Sequence, residues 1–161
     1  MLTNSDVFDQ FPPKAFQPMR NFARLAPWLA SPLLGRLMSR NDYAAFFGAT
    51  CSNPVPGDLK ERILGPFARN AAVRRASLDF LAGCKPEMML AATRRFAGFR
   101  APVLLVWGNE DKLFPLQLAQ ELTREFPDAR LVEVPGANLL LPLDAPARVA
   151  AEIAAFVGGD D

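Results

Sequence analysis

The chain has 161 residues, half of them apolar, with 18 basic and 17 acidic side chains, a formal net charge of +1 and no histidine. That length suits one ordinary domain, and the apolar share supports a packed core rather than a disordered chain. Charge of both signs, spread along the sequence, excludes a strong electrostatic footprint for nucleic acid or an anionic membrane, and no apolar run reaches the roughly 18 residues that span a bilayer.

In chain order, Met1 to Asn4 is too short to make a useful strand by itself. From about Phe11 to Phe96 the pattern is helical, with breaks expected at prolines and at Gly48, Gly65 and Gly83. Phe16, Met19, Phe22 and Leu25, then Trp28, Leu29, Leu33, Leu34 and Leu37, recur at three and four. They predict an amphipathic helix pair kinked by Pro27 and Pro32. Asn41 or Asp42 can cap a helix through Phe46 and Phe47. Ser52-Asn-Pro-Val-Pro-Gly-Asp58 is a loop, since two prolines and a glycine deny both helix and ladder hydrogen bonds. Asp58 and Glu61 have capping-box spacing ahead of an apolar face of Leu59, Ile63 and Leu64. Asn70 can cap the next helix, through Val73, Leu78, Phe80 and Leu81 to Gly83, and another runs from about Pro86 to Gly98. The arginine pairs Arg74-Arg75 and Arg94-Arg95 read as solvated helix faces, because no aromatic stacking partners are interleaved with them.

The stretch Pro102 to Pro146 reads differently. Val103-Leu-Leu-Val-Trp107 is a buried strand closed by the acid-bearing turn Gly108-Asn-Glu-Asp111. A helix presenting Leu118, Leu122 and Phe126 follows, then a second strand, Leu131 to Val134, and a loop through Asn138 and Leu139. This is a βαβ unit with parallel strands, and such sheets place their chemistry just past the strands' carboxyl ends, where Asp111 lies. A last helix, from Ala145 to Val157, is predicted to be capped by Asp144, with Val149, Ile153 and Val157 as its inner stripe. Pro146 fits its first turn, and Asp160-Asp161 are expected to fray.

Val103-Leu-Leu-Val-Trp-Gly-Asn-Glu-Asp-Lys-Leu-Phe-Pro115 resembles the strand and turn that deliver the catalytic acid in α/β-hydrolase-fold enzymes, in the branch of haloalkane dehalogenases and epoxide hydrolases. Val134-Pro-Gly-Ala-Asn-Leu-Leu-Leu-Pro-Leu-Asp-Ala-Pro146 is similar to that branch's closing segment, usually Pro-Gly-Ala-Gly-His-Phe followed by an Asp-x-Pro helix start. The resemblance implies an α/β fold in which residues 1–10 end a core strand and turn, 11–99 form a helical lid, and 100–161 supply the C-terminal strand-helix-strand-helix of an incomplete parallel sheet. It covers nearly the whole chain but only about the C-terminal half of a complete family member, so a truncated gene product or one half of a split protein is expected. Asp111 takes the acid's position. Trp28, Phe46, Phe47 and Met88 are candidates for the wall of an apolar substrate cavity, although a Phe or Met at helical spacing is more often plain core. Asp6 and Asp9 are second candidates for the acid, with capping or turn roles as the plainer alternative. Epoxide hydrolases of this branch polarise the epoxide with two lid tyrosines, whereas Tyr43 is the single tyrosine here.

Aligned without a gap, Asn138 stands for the usual glycine and Leu139 for the catalytic histidine. An acid in such a constellation orients an imidazole that moves protons near neutral pH, and leucine cannot take that part. The run Leu139 to Leu141 has a plainer use as an apolar plug, and Asn138 is placed by this reading to hydrogen-bond Asp111. The nucleophile elbow is missing too: neither Gly-x-Ser-x-Gly nor Gly-x-Asp-x-Gly occurs in the 161 residues. The expected function is therefore that of a hydrolase-family protein, by resemblance acting on apolar esters or carbon–halogen compounds, but inactive as this chain alone. The alternative is a non-catalytic interaction module, or half of a split hydrolase, associating with an N-terminal half or a second copy through the unpaired edge of the Val103 to Trp107 strand. An independent enzyme using Asp111 and a water is a third reading. No cofactor or metal is expected. Cys51 and Cys84 are expected to be buried free thiols of a cytoplasmic protein, because no targeting segment is visible and neither has a histidine to activate it.

Overall fold

The computed structural model describes residues 1–9, 11–40 and 43–159. Three parallel strands form one sheet in the order β1 (Leu2–Thr3), β2 (Val103–Gly108), β3 (Ala129–Val134). The register runs from Val103 opposite Ala129 to Gly108 opposite Val134, and Leu2 and Thr3 lie opposite Leu105 and Val106. All six residues of β2 are buried. Leu2 and Thr3 thus form a two-residue strand, the end of a core strand that the resemblance implies, and it covers only the centre of that edge of β2.

Successive side chains of a strand point to opposite faces, so a strand apolar at every position needs a cover on each side. Val103, Leu105 and Trp107 pack against Leu118, Ala119 and Leu122 of α7 (Leu116–Glu125), the crossover helix. Leu104 and Val106 face the other way, onto Leu141 of the short α8 (Leu141–Asp144) and Val149 of α9 (Pro146–Val157). Burying each leucine in such a cluster contributes about 1.5–3 kcal/mol. The α9 stripe is narrower than its spacing predicts: Val149 is buried and Phe156 packs inward, while Ile153 and Val157 are 39% and 73% exposed.

Among the described residues between β1 and β2 there are six α-helices: α1 (Gln17–Leu25), α2 (Pro27–Arg40), α3 (Ala44–Thr50), α4 (Gly57–Arg69), α5 (Ala71–Gly83) and α6 (Pro86–Thr93). Pro27 opens α2, where its missing N–H costs nothing, and Pro32 lies within the same helix. The periodic residues of α1 and α2 divide between two faces. Met19, Phe22 and Leu34 pack around Ala23, Ala30 and Leu78, whereas Leu25, Trp28, Leu29, Leu33 and Leu37 stay exposed. Around Tyr43, Phe47, Cys51, Val55 and Ala68 lies a second cluster, which Leu59 and Leu64 join while Ile63 stays 41% exposed.

Several caps and breaks fall elsewhere than the spacing predicts. Asn70 caps α5 as expected, its side chain accepting from Ala72 N at 2.9 Å and Val73 N at 3.3 Å. Asp58 sits in the first turn of α4, behind Pro56 at the cap, and Asp144 does not cap α9, whose cap position is held by Ala145. Gly48 and Gly65 lie inside helices rather than between them. At Gly65 a Cβ would meet the Glu61 and Arg69 side chains, which pair across it. The expected Asn41 or Asp42 cap and the fraying of Asp160 and Asp161 lie outside the described residues. No helix among the described residues is long and apolar enough to cross a membrane.

Candidate functional site

The carboxyl end of β2 is held by its neighbours before any functional side chain is considered. Gly108 approaches the 137–138 backbone so closely that a Cβ there would collide with Ala137 and Asn138 carbonyl atoms. Only glycine fits. The turn after it is tied to the loop after β3: Glu110 N donates to Ala137 O at 2.9 Å, Asn109 N to Val134 O at 3.3 Å, and Gly136 N, in a left-handed residue with φ 75°, to Asn109 Oδ1 at 2.9 Å. The loops that bear Asp111 and Leu139 are therefore one hydrogen-bonded unit.

Asp111 is buried at 5% exposure, and three uncharged donors hold its carboxylate. Leu113 N and Phe114 N donate to Oδ1 at 2.7 and 3.0 Å, and Asn4 Nδ2 donates to Oδ2 at 2.7 Å. A carboxylate offers about four acceptor positions, so one is left for a further donor. Trp107 braces the same turn through its indole N–H, which donates to Phe114 O at 2.8 Å. Glu110, its sequence neighbour, is exposed and turned away.

Asn4 is the residue that sequence reasoning missed. It follows β1 directly, is 7% exposed, and its Oδ1 accepts from Gly108 N at 2.8 Å while its Nδ2 serves Asp111. The parallel pairing of β1 with β2 brings it there. A polar residue at the carboxyl end of a parallel strand was the available signal, and the shortness of Leu2–Thr3 hid it.

Position 139, where the resemblance led to the expectation of a base, is filled by packing. Leu139, half-buried, lies against the sheet-face cluster that contains Trp107 and Phe114. Leu140 packs into the helical block's cluster with Tyr43 and Phe47, and Leu141 is fully buried in the opposite sheet-face cluster. Three consecutive leucines thus join three separate cores. Asn138 does not bond Asp111: its N–H donates to Asp144 Oδ2 at 2.8 Å, its Nδ2 reaches Ala49 O at 3.5 Å, and its Oδ1 accepts from Leu139 N at 2.8 Å. Its amide is spent on the seam between loop and helical block.

The four proposed cavity-wall residues do not converge. Phe46 and Phe47 meet edge to face, with ring centroids 5.2 Å apart, inside the cluster that Leu140 joins. Trp28 and Met88 are 72% and 59% exposed, because the inward faces of their helices are taken by smaller side chains such as Ala30 and Thr93. Tyr43 donates its hydroxyl to Glu61 Oε2 at 3.0 Å. Its position is that of a core network in the helical block. Cys51 and Cys84 are buried free thiols. Among the described residues no group of three or more cysteines and carboxylates is placed to hold a metal ion.

Asp6 and Asp9 differ sharply from Asp111. Asp9 is exposed. Asp6 keeps one carboxylate oxygen buried without a partner, and burial pushes its pKa from 3.8 up to about 6, against a backbone hydrogen bond that lowers it. Its charge also acts on Cys84, whose thiol is held up first by burial and then by Asp6, with Arg20 opposing. It faces the end of α5, not the turn of Asp111.

A family model described as the alpha/beta hydrolase family matches residues 5–152 of this chain. Haloalkane dehalogenase 2 of Mycobacterium tuberculosis strain ATCC 25618 / H37Rv is 36% identical over 94 residues, which cover 52% of this chain and 31% of that protein. Among solved structures, an alpha/beta hydrolase fold protein from Burkholderia ambifaria superposes with a TM-score of 0.78 at 23% identity, over 94% of this chain and 54% of the other. A loop variant of a haloalkane dehalogenase from Bradyrhizobium elkanii superposes with a TM-score of 0.68 at 18% identity, over 90% and 49%. The chain thus spans about a third of the curated relative and about half of each solved structure.

Two outcomes test the site's electrostatics. Asn4→Ala leaves a buried carboxylate oxygen and the Gly108 N–H without their partner, so urea unfolding should show a loss of about 1.5–3 kcal/mol or more, while Asn21→Ala, on an exposed face, should change little. For Asp6 the folded pKa lies above the ordinary one, so the native state binds the extra proton between 3.8 and about 6. Stability contributed in this way is present at the acidic end of that window and is lost as pH rises through it. Asp6→Asn should flatten that slope in a pH series of urea midpoints.

Proposed function

Because the chain belongs to the alpha/beta hydrolase family, we propose that it is a lid-and-acid module of a hydrolase for apolar esters or carbon–halogen substrates, one that does not complete a catalytic cycle by itself. The observation that carries this is the pairing of a well-built acid position with a base position filled by leucine. Asp111 has its donors in place and an acceptor site to spare, which suits a group whose task is to hold an imidazole N–H. At position 139 that imidazole is absent, and no histidine stands anywhere in the sequence.

The consequence follows from proton bookkeeping. In the covalent route of this family branch, a carboxylate nucleophile attacks the substrate carbon, the leaving group departs with the bonding electrons, and an ester to the protein remains. Water must then lose a proton to attack that ester, and at neutral pH the positioned base supplies this step. With a nucleophile supplied by another polypeptide segment, this chain would support the first step and stall at the second. The apolar character of the substrate is inferred from Phe46, Phe47 and Leu140, which share one cluster, and from Leu139 in the adjoining sheet-face cluster.

The purified chain should show no multiple turnover of short acyl p-nitrophenyl esters or 1-haloalkanes, measured as nitrophenolate or halide release. Multiple turnover that disappears in Asp111→Ala would sink this reading and establish the acid acting with water alone.

A second reading, an association module, is favoured by a specific observation. Leu25 of α1 and Trp28, Leu29, Leu33 and Leu37 of α2 are exposed apolar side chains, and Met1 and Leu2 help line an apolar groove with Phe96, Phe99, Val103 and Phe126. A helix that is apolar on both faces ordinarily has a cover on each. The occupant would be a complementary hydrolase half or a second copy. Light scattering after size exclusion should then give a mass that rises with loading concentration, whereas a monomer at every concentration counts against association between copies.

A further inference from the structure

The helical block and the sheet each have their own apolar clusters, and the contact between them needs something to give it direction. Leu140 and Leu143 supply apolar contact with the Tyr43–Phe47 cluster, but burial alone fixes no register. One carboxylate does. Asp144, at the end of α8, accepts from Ser52 N through both oxygens at 3.0 Å, from Asn53 N through Oδ1 at 2.9 Å, and from Asn138 N through Oδ2 at 2.8 Å. Its backbone carbonyl accepts from Asn53 Nδ2 at 3.1 Å. Two more bonds flank it, Leu140 N to Thr50 O at 2.9 Å and Asn138 Nδ2 to Ala49 O at 3.5 Å.

Ser52 and Asn53 present successive backbone N–H groups just after α3, an arrangement that forms a concave seat for an anion. Asn138 approaches from the loop after β3. Ser52 and Asn53 lie 92 and 91 positions before Asp144, whereas Asn138 lies 6 before it. They share one acceptor, so it ties them to each other.

We propose that Asp144 is a clasp, a positioning residue whose carboxylate holds the 49–53 segment of the helical block onto the loop that bears Leu139. The two segments then hold or release together, and the clasp sets where Phe46 and Phe47 stand relative to position 139. This goes beyond the catalytic reading above and does not depend on a nucleophile being supplied. It also accounts for the absence of Asp144 from the cap of α9, since the side chain is used on the opposite side. An amide cannot replace it: of the two terminal groups of asparagine one is a donor, and it would face N–H groups on one side of the seam.

Cys51 is a built-in reporter, because it is buried at 7% exposure immediately before Ser52. Cys84, buried at the end of α5, is the internal reference. In Asp144→Ala and Asp144→Asn, alkylation of Cys51 by iodoacetamide, read by peptide mass spectrometry, should accelerate roughly tenfold or more while Cys84 keeps its wild-type rate. Burial and then the charge of Asp144 hold the Cys51 thiol's pKa up, so charge removal alone adds to its reactivity. Backbone amide exchange supplies the arm that is independent of thiol charge: Ser52, Asn53 and Asn138 should lose protection while the β2 amides keep theirs. Unchanged protection at those three amides would overturn the clasp, since other contacts would then hold the segment. A uniform rise at both cysteines and along β2 would overturn it too, by making Asp144 a contributor to global stability instead.

Discussion

A strand buried over its whole length has no solvent to satisfy its backbone or to excuse its side chains, and β2 imposes that condition on the rest of the molecule. Its two faces require α7 on one side and α8 with α9 on the other, and its ladder requires a parallel partner at each edge. Both partners deliver loops to the same end. The turn after β2, the loop after β3 and Asn4 after β1 therefore meet at Gly108, where the packing admits no side chain at all. What stands at that meeting point is a buried carboxylate satisfied by neutral donors. Such a group is costly to bury unless its hydrogen bonds are made, and here they are.

This end of the sheet sets a fully built carboxylate site beside a position that carries no titratable side chain. Asp111 is held by backbone N–H groups of its own turn and by the side-chain amide of Asn4, just after the neighbouring strand. Beside it, Leu139, Leu140 and Leu141 join three hydrophobic clusters, at the place where the resemblance led to the expectation of an imidazole. Apolar packing there stabilises the junction and at the same time removes the one side chain whose ordinary titration range suits general base work near neutral pH.

The helical block is attached by two kinds of force with different consequences. Apolar contact between Leu140, Leu143 and the Tyr43–Phe47 cluster is non-directional, so it holds the block without fixing its placement. The hydrogen bonds converging on Asp144 are directional and concentrated at a single side chain. A contact of that kind is lost all at once when it is lost, which makes the seam between block and sheet a discrete rather than a gradual one.

What the sequence determined by itself was local or compositional. The unbroken apolar run of β2, the spacing of four between Leu118 and Leu122, the asparagine cap at Asn70 and the leucine at position 139 could all be read directly, because strand and helix periods and cap geometry involve residues a few places apart. The lack of histidine needed only counting. Tertiary structure decided the rest. Leu2 and Thr3 are a strand only because β2 offers them a ladder, and Asn4 reaches Asp111 across 107 positions of chain. Asp144 looked like a helix cap until the Ser52–Asn53 segment was placed beside it, and α2 carried two apolar faces whose periodicity could not say which one α4 and α5 would cover. In each case the pattern along the chain showed that a group needed a partner, while the identity of that partner depended on which distant segments the packing brought together.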